Sequence, residues 1–373
     1  MTNPTNALQY YSLEANTELL REPVRHLNMH SCTCSSPPVV DLSHSSSAKQ
    51  LKEHLQTWGW AHVVWTDHEE KSLLNTLNNV KNEARKLFEN PLRLPSNIAY
   101  RGRAAESGSS TLQHVEPKQS LEVKRCCAST EQTILHQWCR ALHSVAVRVN
   151  QLLEIPENVL LQEKNCTCSN LQSHCNIDLM RVFCYDTVTD RQLGSSPHTD
   201  WGSWTVVWQD NIGGLQAYCQ TCKKYNDVKV PNKNYNNNPV RFVVHVGDVI
   251  SLSIGNATIR NSTVSLTTDA RVIFPSPQHR VVSPTDQERI SLVYFSYPPP
   301  GMTLETIENS LAENAILPED INSIDIDFSS YYILKNQTSG QGEGMTEVET
   351  YHSIRSTPLD KVFDTKWGQV QRD

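Results

Sequence analysis

The chain has 373 residues with 38% hydrophobic and 20% charged side chains, which is the texture of a globular protein and not of a disordered one. Lys plus Arg number 33 against 40 for Asp plus Glu, a formal charge of -7 with no basic block. That balance argues against a nucleic-acid or anionic-membrane surface. The opening residues lack the basic end and apolar stretch of a secretory signal, and nowhere do apolar residues run long enough to span a bilayer, so a cytoplasmic protein is expected. A monomer is expected as well. The cysteine count of 11 is odd, and Cys32/Cys34, Cys126/Cys127 and Cys166/Cys168 are near neighbours, which reads as reduced thiols. Cys219-x-x-Cys222 is half of a zinc or redox motif, and Cys166, Cys168, His174 and Cys175 do not complete it at a recognised spacing.

In chain order, residues 1–37 read as a polar arm. Val39 to Leu42 suggests a short strand, and Ser47 is placed to cap a helix with Leu51, Leu55 and Trp58 on one face, closed by Gly59. Trp60 to Trp65 reads as a strand. A longer helix from Asp67 holds its apolar period through Leu87 and Phe88 until Asn90-Pro91. A polar loop with Arg101, Gly102, Arg103 and Gly108 follows. Ser129-x-x-Gln132 resembles a capping box for a third helix, whose stripe is Ile134, Trp138, Leu142, Val145, Val149 and Leu152.

Beyond residue 177 the runs become short and β-rich: Ile177 to Tyr185, Trp204 to Trp208, Leu215 to Tyr218, Val240 to Val246, Val249 to Ile254 and Ile290 to Tyr297. Gly194, Gly213-Gly214 and Gly247-Asp248 are read as turns between them. Polar insertions interrupt the run at about 219–239 and 255–270. Leu304, Ile307 and Leu311 mark a last helix, before a Gly-rich loop near 340–344. The expected fold is α+β but mainly β: a helical N-terminal layer on a sandwich or barrel core, with a C-terminal extension. The expected divisions are 1–37, 38–176, 177–300 and 301–373.

Chemistry enters at His198-Thr199-Asp200. With 14 His and 40 acidic residues, chance alone produces roughly 1.5 His-x-Asp/Glu triplets, so the triplet by itself says nothing. His68-x-Glu70 falls at a helix start, where the two side chains diverge, and His114-x-Glu116 falls in a loop. His198 and Asp200 instead lie in extended chain, where residues two apart share a face and can reach one metal. His279, at the lip of a strand, supplies a third ligand. Two imidazoles and one carboxylate leave positions open for O2 and a chelating cosubstrate, the ligand set of mononuclear non-haem Fe(II) oxygenases. Arg289-Ile290-Ser291 puts a guanidinium and a hydroxyl on one strand face, suited to hold a carboxylate at two points.

The ordered set His198-x-Asp200, Gly213-Gly214-Leu215-Gln216, Val246-Gly247-Asp248, His279-Arg280-Val281 and Arg289-x-Ser291 resembles the 2-oxoglutarate/Fe(II) dioxygenases of the isopenicillin N synthase-like type. Val40-Asp41-Leu42-Ser43 and Trp58-Gly59-Trp60 resemble the N-terminal region of that family. The resemblance spans roughly residues 38–300 and implies a double-stranded β-helix (jelly-roll) core with iron at one mouth. It implies that His198, Asp200 and His279 ligate Fe(II). It assigns Arg289 and Ser291 to the far carboxylate of 2-oxoglutarate, with Tyr185 assisting. The asparagine that the family usually places two residues before that tyrosine is Phe183 here.

The function implied is oxidation of a small organic molecule with O2, by hydroxylation, desaturation or ring closure, with release of succinate and CO2. Ascorbate would serve as an auxiliary reductant. Two other readings stay open: an iron oxidase of the same superfamily that needs no 2-oxoglutarate, and a jelly-roll binding or sensor protein. Trp201, Trp204 and Trp208 read as core before they read as substrate stackers, since aromatic residues at alternate strand positions usually pack inward. His245, in an apolar strand, reads as a hydrogen-bonded core or turn residue. Arg101 and Arg103 read as solvated.

Overall fold

The structure is a computed structural model. It describes residues 38–65, 68–95, 98–102, 116–124, 133–161, 178–190, 192–219, 222–229, 240–253, 274–313 and 355–362. The polar arm, Arg103, Gly108, His114, the Ser129/Gln132 pair, the clustered cysteines up to Cys175, most of both insertions and the Gly-rich loop lie outside them.

Strands β1 (Val40–Asp41), β2 (Trp60–Val64), β3 (Ile98–Arg101), β4 (Lys118–Lys124), β5 (Leu179–Tyr185), β7 (Trp204–Gln209), β10 (Arg241–Val246) and β12 (Arg289–Phe295) form one sheet. Its order is β1-β2-β10-β7-β12-β5-β4-β3. Strands β6 (Leu193–His198), β8 (Leu215–Cys219), β9 (Lys224–Asp227) and β11 (His279–Val282) form a second sheet, in the order β6-β11-β8-β9. All the described ladders are antiparallel except β1 with β2.

Alternation along each strand splits the large sheet into two faces. On β7, Trp204, Val206 and Trp208 join the cluster that includes Trp138, Leu142 and Val149, whereas Val207 joins a separate cluster with Leu215, Ala217 and Val281 of the small sheet. The first face is covered by helix α3 (Ile134–Leu152), backed by α2 (His68–Glu89) and flanked by α1 (Ala48–Trp58) and the short α4 (Glu157–Leu160). The second face closes against the small sheet, and the interior between them is the jelly roll.

The outer face is fixed by polar anchors as well as by burial. The indole N–H of Trp204 donates to Oδ1 of Asn150 at 2.6 Å, and that of Trp138 to the Thr76 hydroxyl at 3.0 Å. Tyr294 donates to Asp178 at 2.8 Å while meeting Nδ1 of His143 at 2.8 Å. Trp204 and Trp208 are thus core residues of the helix–sheet interface, as their spacing suggests.

The structure departs from the sequence reading at several points. Ser47 makes no side-chain cap on α1, because it is already helical as the last residue of a 3-10 turn, Ser45–Ser47. Gly59 does close α1, in the left-handed region at φ 71°. The capping box of α3 is formed by Thr133 and His136. Arg101 belongs to strand β3 and pairs with Glu122 of β4 at 3.4 Å, so it is not a solvated loop residue. Gly194 lies within β6 and not in a turn.

Part of the first insertion is strand β9, hairpinned on β8. A strand is expected over Val249 to Ile254, but residues 248–253 are helical (α5). Ser251 N–H donates to Gly247 O at 3.1 Å, a bond of helical spacing, and Val249, Ile250 and Ser253 are buried. Leu304, Ile307 and Leu311 do form one buried stripe on helix α6 (Leu304–Glu313).

Trp138 is fully buried and its ring centroid lies 5.7 Å from that of Trp208 across the helix–sheet interface. Trp138→Ala removes this wedge and should cost about 3–5 kcal/mol in urea unfolding, because the surroundings cannot collapse onto so large a void. A loss below about 1 kcal/mol would contradict the packing described.

Candidate metal centre

His198 ends β6 and His279 begins β11, and the two are paired across that ladder with ring centroids 4.3 Å apart. Asp200 sits two residues past the strand end, where the backbone is held by close contacts. Asp248 N–H donates to Asp200 O at 2.7 Å, Gly247 N–H to Ser203 O at 2.8 Å and Ser203 N–H to Ser296 O at 2.8 Å. Glycine is required here: a Cβ on Gly202 would lie 2.2 Å from Ser296 O, and one on Gly247 would lie 1.9 Å from Gly202 O. Thr199 Oγ1 donates to Asp248 at 3.1 Å, tying the His-x-Asp turn to the start of α5.

One ligand atom from each of His198, Asp200 and His279 lies within 4.8 Å of the others, and among the described residues this is the one group of donors that converges. Nε2 of His198 is 3.7 Å from Oδ1 of Asp200, and Nε2 of His279 is 3.7 Å from Oδ2. On the far side of each ring, Nδ1 of His198 meets Ser196 O at 2.7 Å and Nδ1 of His279 meets Pro277 O at 3.0 Å. A carbonyl can only accept, so each Nδ1 carries the proton and each Nε2 turns a lone pair inward.

Burial, with the neighbouring His279, lowers the His198 pKa to about 4 despite the opposing pull of Asp200, so the ring stays neutral. Burial opposes ionisation of Asp200, but the surrounding imidazoles, His279 first, outweigh it and hold the carboxyl well below the usual range. Oδ2 of Asp200 is buried without a hydrogen-bond partner. Two inward lone pairs and an orphaned carboxylate oxygen fit a divalent cation.

Arg289, at 1% exposure, stands on the inner face of β12 beside the small sheet. Its Nη1 donates to Ser291 Oγ at 3.2 Å and its Nη2 to Gln209 Oε1 at 3.1 Å. The guanidinium carbon lies 4.6 Å from the Tyr185 ring centroid, and Nε is buried without a partner. Small-sheet glycines let the layers close on this group. A Cβ on Gly194 would lie 2.5 Å from the Tyr185 ring, and one on Gly214 (φ +99°) would lie 2.5 Å from Val282 O. A buried cation with an unfilled donor, a hydroxyl and an aromatic floor fits an organic carboxylate such as one end of 2-oxoglutarate. Phe183 packs beside Tyr185 with ring centroids 6.0 Å apart, so the place the family gives to asparagine is apolar here.

All six residues expected at the site therefore face the one interior. Sequence reasoning misses two of their neighbours. His245, expected as core, is buried on β10 but stands at the donor cluster, with Nδ1 3.6 Å from Oδ2 of Asp200. Lys118 is also buried on the inner face. It pairs with Glu116 at 2.9 Å and reaches Ser195 at 3.3 Å, with Nζ 5.3 Å from the Phe183 ring centroid. A cation and an anion two residues apart before β5 were the available signal for that pair.

Cys219 and Cys222 sit at the tip of the β8–β9 hairpin. Cys222 N–H points at Cys219 Sγ at 3.4 Å, and both side chains are half-buried thiols.

Comparison with known proteins agrees with this geometry. The 2OG-Fe(II) oxygenase superfamily model matches residues 176–298. A 1-aminocyclopropane-1-carboxylate oxidase of Dictyostelium discoideum is 26% identical over 152 residues, 39% of this chain and 35% of that protein. A naringenin,2-oxoglutarate 3-dioxygenase of Arabidopsis thaliana is 27% identical over 179 residues, 47% of this chain and 42% of that protein. The chain thus spans less than half the length of these curated relatives.

Among solved structures, a full-length Neurospora crassa protein in complex with alpha-KG superposes with a TM-score of 0.53 at 17% identity, covering 80% of this chain and 95% of that one. A Caulobacter crescentus protein described as a putative 2OG-Fe(II) oxygenase superposes with a TM-score of 0.53 at 15% identity, covering 80% and 98%. These likenesses show the jelly-roll fold. No helix among the described residues is long and apolar enough to cross a membrane.

The donor cluster should bind one divalent ion per chain, as measured by elemental analysis after reconstitution. His198→Ala and His279→Ala should each abolish stoichiometric binding, since one imidazole and one carboxylate do not make a closed face. Unchanged metal content in the doubly substituted protein would contradict the assignment. Cys219→Ser with Cys222→Ser should leave folding and metal content unchanged. Zinc lost together with folding in that variant would show a structural site.

Proposed function

We propose that this chain is an Fe(II)- and 2-oxoglutarate-dependent oxygenase that hydroxylates, desaturates or cyclises a small organic molecule with release of succinate and CO2. The observation that carries the reading is one interior holding both a converging two-imidazole, one-carboxylate face and a buried Arg289 with an unfilled donor. The match of residues 176–298 to the superfamily model supports it independently.

On this reading, Fe(II) with a bound keto acid supplies O2 activation and the removal of hydrogen from the substrate. The chain binds, orients and excludes water. Ser196 O and Pro277 O hold the two metal-facing imidazoles in one tautomer each. Arg289 holds the far carboxylate of 2-oxoglutarate by its planar fork. Ser291 and Gln209 keep that fork in plane, and the Tyr185 ring closes its face. Phe183, Val207, Leu215, Val243 and Val281 line the interior with apolar surface, which keeps bulk water from the reacting centre.

The finer parts of the proposal rest on the sequence. They are the isopenicillin N synthase-like type, a monomer in the cytoplasm, ascorbate as reductant and no nucleic-acid or membrane partner. In the proposed division, 177–300 is the oxygenase core, 38–176 the layer packed on it, and 1–37 and 301–373 the flanking segments.

The test is turnover under air with ferrous iron and ascorbate, following succinate and oxygen. The proposal expects 2-oxoglutarate to be consumed even without the prime substrate, and faster with it. Oxygen uptake that ignores 2-oxoglutarate would point to an oxidase, and no uptake at all to a binding protein. Arg289→Lys should raise the 2-oxoglutarate requirement about 30- to 1000-fold, or about 2–4 kcal/mol, because an ammonium cannot reproduce two parallel donors. An unchanged requirement would remove Arg289 from the role given to it.

A further inference from the structure

His245 is 1% exposed and lies on β10, which is paired on both sides, opposite Thr205 of β7 and Trp60 of β2. It points to the same face as Val243, two residues earlier, which packs between the two sheets. Its ring centroid is 4.7 Å from that of His279, and its Nδ1 is 3.6 Å from Oδ2 of Asp200.

Both of those atoms are buried and neither has a hydrogen-bond partner. A nitrogen that can carry a proton and a carboxylate oxygen that needs one face each other, a few tenths of an ångström beyond hydrogen-bond length. Two buried orphans of opposite kind cost far more apart than together. The main chain of Asp200 is already pinned by Asp248, while Oδ2 of its side chain has no donor within hydrogen-bond length. His245 is outside the group of convergent ligand atoms, so the geometry makes it a neighbour of the metal face and not a member of it.

We infer that His245 is a positioning residue: it donates Nδ1–H to Oδ2 of Asp200 and so fixes which carboxylate oxygen and which angle are offered to the metal. The inference rests on the metal centre proposed above. A carboxylate ligand held by an outer hydrogen bond loses no orientational freedom on binding metal, and removal of such a partner weakens metal binding by about 10- to 100-fold.

The probe is Mn(II), titrated anaerobically and followed by the loss of its free-ion electron paramagnetic resonance signal. His245→Asn keeps a donor near the place of Nδ1, whereas His245→Gln carries its amide one carbon further and His245→Leu has none. The expected result is Mn(II) affinity within about threefold of the parent for Asn and at least about 10-fold weaker for Gln and Leu. Equal affinities for Asn and Gln would overturn the inference, and that comparison stands even if the Leu protein does not fold. Failure of the underlying metal centre looks different. In that case the parent protein itself binds no Mn(II), or binds it equally well after His198→Ala.

Discussion

The carboxylate of Asp200 is the constraint around which this interior is arranged. It is 6% exposed, ionised and without a basic side chain that is always charged, a combination that would be heavily penalised in an apolar core. Three imidazoles stand around it at 3.6–3.7 Å, from His198, His245 and His279, and those of His198 and His279 turn lone pairs toward it, so the cluster lacks a positive charge at its centre. These come from three different strands, so the cluster exists only once both sheets have closed. A divalent cation is the partner that such a set satisfies best, since it meets the carboxylate and the inward lone pairs at once.

That arrangement depends on what happens on the opposite face of the large sheet. Helix α3 buries Trp138, Leu142 and Val149 against Trp204, Val206 and Trp208, and hydrogen bonds from Trp204 and Tyr294 fix the strands in place. Strands β7 and β12 therefore present Gln209, Arg289 and Ser291 to the interior from a rigid backing. The small sheet approaches that interior where side chains are missing, at Gly194 and Gly214. Rigidity on one face and backbone-close packing on the other are how a buried guanidinium keeps an unfilled donor without collapsing onto a neighbour.

Much of this was legible in the chain. Period-2 runs such as Trp204 to Trp208 and Ile290 to Tyr297 declare two-faced strands, and the apolar stripe of α3 declares a helix. His198-x-Asp200 with His279 was legible because extended chain puts residues two apart on one face. The rest failed for identifiable reasons. Strand β6 reads Leu-Gly-Ser-Ser-Pro-His, with no apolar alternation; it is an edge strand, where Pro197 is tolerated, and its order comes from pairing with β11. Val249 to Ile254 is apolar enough to pass for a strand, but its described part, up to Ser253, is helical and buried, and tertiary packing overrides the local preference there. Strand β3 carries Arg101, whose partner Glu122 is 21 residues away, so the pairing is invisible locally. His245 looks like any histidine in a valine-rich strand, because what distinguishes it is Asp200, brought in by another part of the chain.

The central claim is that His198, Asp200 and His279 act together as one metal face. The most direct measurement is anomalous diffraction from crystals grown with Mn(II) or anaerobic Fe(II), collected at the absorption edge of the metal. The account predicts one strong peak per chain, within bonding distance of Nε2 of His198, Nε2 of His279 and a carboxylate oxygen of Asp200. A peak centred elsewhere, or a site engaging only one of the three residues at full occupancy, would contradict it.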